Sequence, residues 1–215
     1  MDDLLTGLDA VRPVEPIGAG AVVLRAMARS AAAALVAETG RIRTVAPFRH
    51  LVTPGGHTMS VAMTNCGPLG WVSDRAGYRY QDTDPESGKR WPAMPAVFRV
   101  LAGQAAAEAG YPDFAPDACL INWYEPGARL TLHQDRDERD LDSPIVSVSL
   151  GLPAVFLFGG LRRTDRPRRL RLEDGDVVVW GGPSRLAFHG VEALADGSHP
   201  LTGRSRINLT FRRAG

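Results

Sequence analysis

The sequence predicts a mainly β protein with flanking helices: an eight-stranded antiparallel sandwich or barrel with its helices packed outside. Three observations lead there. Eight short strand-like runs follow one another in the second half: "ACLINWY", "RLTLHQ", "PIVSVSLGL", "AVFLFGG", "RRLRLE", "DVVVWG", "LAFHGV" and "INLTFR". Turn chemistry such as "EPGA" and "EDGD" separates several of them, and no helical stretch intervenes, which favours antiparallel pairing over βαβ units. The two segments with helical character both lie in the first half.

Taken in order, the chain starts with "MDDLLTGLDAVRP", which is acidic and lacks the basic and apolar regions of a secretory signal. "AMARSAAAALVAETG", Ala26 to Gly40, is alanine-rich and predicts a helix capped by Gly40. Met59 to Trp91 is rich in Gly, Asp, Tyr and Trp and reads as loops and hairpins rather than core. "MPAVFRVLAGQAAAEAG", Met94 to Gly110, predicts a second helix, with Pro95 in its first turn and Gly110 past its end. Val97, Leu101 and Ala105 form its apolar stripe.

A chain of 215 residues is long enough for one good core. With 44% hydrophobic and 23% charged residues and a net charge of +1, nothing marks it as a membrane protein or demands a polyanion partner, although local patches count for more than totals. No apolar run approaches the roughly 18 residues of a membrane helix. Two cysteines, Cys66 and Cys119, are too few for a disulfide framework and lack paired zinc spacing. The expected setting is the cytoplasm.

"TLHQDRDE", residues 131 to 138, carries the first chemistry. On a strand, His133 and Asp135 point to one face about 6.6 Å apart, from a rise of roughly 3.3 Å per residue. An imidazole and a carboxylate suit Fe(II), Mn(II) or Zn(II). H-x-D alone is common, and a surface His and Asp at a strand end is the plainer reading. His189, in "SRLAFHGV" after the strongest strand, is the best third ligand because a strand holds it rigidly. Two histidines and one carboxylate with open positions are the geometry of non-haem Fe(II) oxygenases. Glu138 reads as a solvated charge.

"RSRINLTFRR" alternates apolar Ile207, Leu209 and Phe211 with Arg206, Asn208, Thr210 and Arg212. The polar face either meets water or forms a pocket wall whose guanidinium groups bind carboxylates through paired hydrogen bonds. Asn122 and Tyr124 share one face of "LINWY". A dicarboxylate held by these groups beside an iron site describes 2-oxoglutarate.

Seven stretches now stand out: "PGGHTMSVAMTNCGPLGW", "GYPDFAPDACLIN", "LHQDRDE", "PIVSVSLGLPAVFLFGG", "GDVVVWGG", "FHG" and "NLTFR". Together, in order and over nearly the whole chain, they resemble the AlkB family of nucleic-acid dealkylating dioxygenases, its bacterial branch in particular. The H-x-D, the distant His and the paired arginines specify only the wider superfamily; the N-terminal stretches and "NLTFR" narrow it. The resemblance implies a double-stranded β-helix (jelly roll) core with an N-terminal nucleotide-recognition lid. Residues 1–92 would form the extension and lid, and 93–215 the helix plus jelly-roll catalytic unit. It implies Fe(II) on His133, Asp135 and His189, with O2 and 2-oxoglutarate as co-substrates. Arg206 and Arg212 would bind the two carboxylates of 2-oxoglutarate, helped by Asn122, Tyr124 and Asn208. Asp137 would face the damaged base as a catalytic and substrate-contacting residue, with Trp71 stacking on that base opposite His133. Tyr78 would touch phosphate, Arg163 would lie near the lesion, and Thr53 and Met63 would complete the substrate contacts. The implied reaction is oxidative demethylation of N-alkylated bases of the 1-methyladenine and 3-methylcytosine type, releasing formaldehyde. The implied partner is single-stranded or duplex DNA, with RNA as a further substrate, and the implied state is a monomer.

This chain has His57 and Trp123 where a member of that family carries Tyr and Arg. Strand alternation turns Trp123 away from the pocket, so little effect is expected there. The residues themselves fit a base-modifying enzyme, which must unstack its target. Trp71, Tyr78 and Tyr80 offer π faces for single strands, although Tyr80 equally fits a loop anchor. "LRRTDRPRRLR" holds six arginines between 162 and 171, part of them expected on phosphate. A carboxylate at Asp137 favours cationic alkylated bases over neutral ones. The alternatives are a 2-oxoglutarate-dependent hydroxylase of protein or small molecules, and a catalytically silent nucleic-acid-binding module.

Overall fold

A computed structural model describes residues 14–215; the acidic start of the chain lies outside the described residues. Strands β1 (Val14–Gly18) and β2 (Ala21–Leu24) precede helix α1 (Ala32–Val45). Then come β3 (Arg49–Val52), β4 (Thr58–Cys66), the hairpin β5 (Gly70–Asp74) and β6 (Gly77–Gln81), and helix α2 (Ala96–Glu108). All eight expected strands follow: β7 (Ala118–Tyr124), β8 (Leu130–His133), β9 (Ile145–Gly151), β10 (Ala154–Phe158), β11 (Arg168–Leu172), β12 (Val177–Trp180), β13 (His189–Val191) and β14 (Arg206–Arg212).

These eight split into two antiparallel sheets. β12, β9, β14 and β7 are neighbours in the larger sheet, and β11, β10, β13 and β8 make the smaller one. The chain crosses between sheets at most connections, which is the jelly roll. The larger sheet grows to eight strands because β1–β2 pair beside β12, and β4 and β3 add beyond β7. The stretch from Met59 is therefore only partly peripheral. β5–β6 is a separate ribbon, whereas β4 runs inside the sheet and buries Val61, Met63 and Cys66.

Each face of the larger sheet has its own apolar layer. Ile207, Leu209 and Phe211 pack with Val146, Val148, Val177 and Val179 against Leu35, Phe98 and Leu101 of the helices. Burial of such side chains stabilises by about 1.5–3 kcal/mol each. The other face meets the smaller sheet through Val23, Tyr124, Ile145, Phe156, Phe158 and Trp180. α2 follows its sequence signals closely, with Pro95 capping its start and Gly110 past its end at φ +92°.

α1 does not follow its signals. Ala26 has φ +55°, a left-handed conformation from which no helix propagates, and a short 3-10 turn, Arg29–Ala31, leads in instead. Gly40 lies within the helix, because the buried stripe Ala32, Leu35, Thr39 and Ile42 carries it onward. It stops where Pro47 forces Ala46 into an extended conformation. Among the described residues, no helix is long and apolar enough to cross a membrane.

Candidate active site

β8 and β13 are antiparallel neighbours, and His133 and His189 are Cα partners in their register. Asp135 lies two residues past the end of β8. The ligand atoms of the three residues lie within 4.8 Å of one another. Each histidine Nδ1 faces a backbone carbonyl, that of Thr131 at 2.8 Å and that of Ala187 at 3.0 Å. A carbonyl only accepts, so each Nδ1 carries the proton and each Nε2 presents a lone pair, the usual way a protein fixes a metal-binding imidazole. Both Nε2 atoms stand 3.7 Å from oxygens of Asp135, too far to hydrogen-bond and well spaced to share a cation. Burial, with His133 alongside and against the pull of Asp135, pushes His189 down to about 4 and keeps it neutral. Burial opposes ionisation of Asp135, but the charge of Arg212, with the two imidazoles, holds its carboxyl below the usual range. The triad fits a divalent cation. The remaining histidines lie outside the triad: His50 bonds the Met59 carbonyl, His57 stands in the loop before β4, and His199 stands 3.9 Å from Asp174.

The triad lines a pocket of about 950 Å³ between the sheets and the β5–β6 hairpin. Asn122, Tyr124, Arg206, Asn208 and Arg212 line its inner wall. The polar face of β14 is thus turned inward, and Arg206 is only 1% exposed. Its Nη2 donates to Ser149 Oγ at 3.0 Å and its guanidinium lies 4.9 Å from the Tyr124 ring centre. Nε and Nη1 have no hydrogen-bond partner among the described residues, and burial lowers the pKa of this arginine. A buried guanidinium with unmet donors is costly unless an anion completes it, so this cradle fits the carboxylate of a co-substrate. Asn208 donates to Ser147 Oγ and accepts from Asn122 and Thr210. Arg212 donates Nε and Nη2 to Asp135 Oδ2, at 3.0 and 2.5 Å.

Trp71, Tyr78, Asp137, Arg163, Thr53 and Met63 line the same pocket. Trp71 and Tyr78 stack at 5.5 Å, and the Trp71 indole donates to Asp137 Oδ2 at 2.9 Å. Tyr78 is 46% exposed. Arg163 lies over Phe188 at 5.9 Å. Thr53 closes the turn that carries His57, and His57 also lines the pocket. Trp123 packs against Phe48 and under Arg43, away from the pocket, as strand alternation predicts. Of the six clustered arginines, Arg162, Arg168, Arg169 and Arg171 pair with acidic side chains.

Glu138 is not the solvated charge that the sequence predicts. It is 7% exposed, bonded by Tyr80 and flanked by Arg212 and Arg185. Nothing in "RDE" signals this, because Arg185 reaches it from far along the chain. Ser147 and Ser149 also belong to the site, accepting from Asn208 and Arg206; their alternation with Val146 and Val148 puts both hydroxyls on one face.

Fold, triad and carboxylate cradle define a class: a jelly-roll oxygenase that uses iron and 2-oxoglutarate. The family model of the 2OG-Fe(II) oxygenase superfamily matches residues 20–212. The chain is 62% identical over 201 residues to the alpha-ketoglutarate-dependent dioxygenase AlkB of Escherichia coli, covering 94% of this chain and 93% of that protein. It is 32% identical over 158 residues to the tRNA demethylase abh1 of Schizosaccharomyces pombe, covering 67% and 52%. The solved structure of OsALKBH1 superposes with a TM-score of 0.84 at 30% identity, over 94% of this chain and 100% of that one. The chain belongs to the AlkB family, on its bacterial branch, within the 2OG-Fe(II) oxygenase superfamily. It is an Fe(II)- and 2-oxoglutarate-dependent dioxygenase whose metal site is His133, Asp135 and His189 and whose co-substrates are O2 and 2-oxoglutarate.

Proposed function

We propose that the chain oxidatively demethylates N-alkylated bases, of the 1-methyladenine and 3-methylcytosine type, in single-stranded or duplex DNA, with RNA as a further substrate. The observation that carries this reading is an aromatic ribbon and a carboxylate, Trp71 with Tyr78 and Asp137, lining the same pocket as the metal triad. The family membership and the tRNA demethylase relative support a nucleic-acid substrate.

The residues divide the work. Arg206 takes the far carboxylate of 2-oxoglutarate on its two unpaired nitrogens. Arg212, anchored beside Asp135, orients the keto-acid end, and Asn122, Tyr124 and Asn208 complete the cradle. Trp71 covers one face of the flipped base, with His133 opposite. Asp137 gives one oxygen to the indole of Trp71 and keeps the other for the base, where its charge favours cationic alkylated rings. Tyr78, Arg163, Thr53 and Met63 contact the strand or the lesion. The apolar walls Leu120, Phe156 and Trp180 exclude water from the reacting methyl group. Iron, 2-oxoglutarate and O2 supply the oxidation of the N-methyl to N-hydroxymethyl, which collapses to formaldehyde and the restored base, leaving succinate and CO2.

In this reading residues 1–92 act as the lid-bearing extension and 93–215 as the catalytic unit. The protein works as a cytoplasmic monomer, in keeping with its two free thiols. Mass-spectrometric turnover on matched methylated DNA and RNA oligonucleotides, single and double stranded, tests the proposal. Succinate and formaldehyde in equal amounts are expected; production of neither overturns it.

A further inference from the structure

Glu138 is a buried acid that the proposed chemistry leaves unused. Its Oε1 accepts from the Tyr80 hydroxyl at 2.8 Å and lies 3.1 Å from Arg212 Nε. Its Oε2 stands 3.2 Å from Arg185 Nη2. Arg185 also donates to the backbone carbonyls of Asp135 and Ser143, so the loop after β8 is pinned at both ends.

The hairpin meets this loop in an ordered way. Trp71 and Tyr80 are Cα partners across β5 and β6, so their side chains leave the ribbon on one side. Asp137 takes the indole of Trp71, and the next residue, Glu138, takes the hydroxyl of Tyr80. Two consecutive acids therefore grip a cross-strand pair. The same Glu138 oxygen faces Arg212, whose Nε also bonds the iron ligand Asp135. A shift of the hairpin that draws on Tyr80 must move the oxygen that steadies Arg212, and the reverse holds equally.

We propose that Glu138 is a positioning residue that couples the hairpin holding the base to Arg212, the arginine holding 2-oxoglutarate. This rests on the co-substrate role of Arg212 given above. Through it, binding of the co-substrate stiffens the hairpin, and closure of the hairpin over a base tightens the hold on 2-oxoglutarate. If Glu138 merely neutralised two arginines, the Tyr80 hydroxyl would have no part in either effect.

Hydrogen–deuterium exchange of residues 70–81 in the full chain, loaded with Mn(II) to prevent turnover, reads the coupling with and without 2-oxoglutarate. In the native chain 2-oxoglutarate slows exchange there by at least about fivefold, the low end of ordinary coupling between sites. Tyr80→Phe, which removes one hydroxyl, leaves 2-oxoglutarate affinity nearly unchanged but abolishes the slowing. Glu138→Gln abolishes the slowing and also weakens 2-oxoglutarate binding by about tenfold, as loss of a partner that orients a ligand does. Native-like slowing in Tyr80→Phe, or no slowing in the native chain, overturns the proposal. So does native affinity in a folded Glu138→Gln. Absence of formaldehyde from every methylated oligonucleotide would instead overturn the demethylase reading and leave the exchange result standing.

Discussion

His133 and His189 face one another as register partners on adjacent antiparallel strands, with ring centroids 4.4 Å apart. So close a pair requires the strands themselves to approach closely, and Gly190 permits it. A Cβ at that position would lie 2.7 Å from the Leu130 carbonyl oxygen. Gly190→Ala is expected to push β13 off β8, lower iron content by elemental analysis, and cost about 1–3 kcal/mol in denaturant unfolding.

Asp135 serves the metal and the protein together, because it is also the partner of buried Arg212. Chelation should abolish turnover reversibly, with Fe(II) restoring it. Asp135→Ala should abolish it irreversibly and also destabilise the metal-free protein by about 3 kcal/mol, the low end for breaking a buried pair, since Glu138 remains beside Arg212. Equal unfolding midpoints for the two metal-free proteins would contradict this.

Arg206 carries no carboxylate partner among the described residues. Arg206→Ala should therefore raise the KM for 2-oxoglutarate by roughly 10- to 100-fold, the worth of hydrogen bonds to a charged group, in a protein that still folds. Arg206→Lys should recover part of the loss, since a point charge lacks the planar fork. Succinate formation titrated against 2-oxoglutarate reads both.

Asp137 has two tasks that substitution separates. Asp137→Asn keeps an oxygen for the Trp71 indole but loses the charge, so preference for cationic over neutral lesions should fall with little change in KM. Asp137→Ala releases the indole as well, and KM for the methylated strand should rise about tenfold. Competition between 3-methylcytosine and a neutral methylated base in one oligonucleotide reads the difference.

Away from the metal, Asp84 is held by the Arg49 guanidinium, which keeps its carboxyl well below the usual 3.8 despite burial. Because the folded value is the lower one, this pair stabilises the protein above the unfolded value and loses its effect as pH falls below about 4. The stability gap between the native chain and Asp84→Asn, measured by urea unfolding, should be full at pH 6 and shrink steadily on acidification beneath that point.

The strands of the jelly roll, the triad and the inward-facing arginine were legible because each rests on local alternation. Period-two patterning set Ile207, Leu209 and Phe211 against Arg206, Asn208 and Arg212 and left the polar face to water or to a pocket wall; the fold buries both faces. H-x-D placed two ligands side by side, although Asp135 lies past the end of β8 rather than on the strand as expected, and only the third had to be found at a distance.

Other features depended on partners remote in sequence. Gly40 looked like a helix end until the stripe through Ile42 packed against the core. β4 looked peripheral until it paired beside β7. The sequence by itself determined which residues could hold iron and an anion, since ligand chemistry and strand period are properties of a few neighbouring residues. Only the tertiary structure decided that Glu138 is buried between Tyr80, Arg185 and Arg212, because burial of a charge depends on what distant elements bring to meet it.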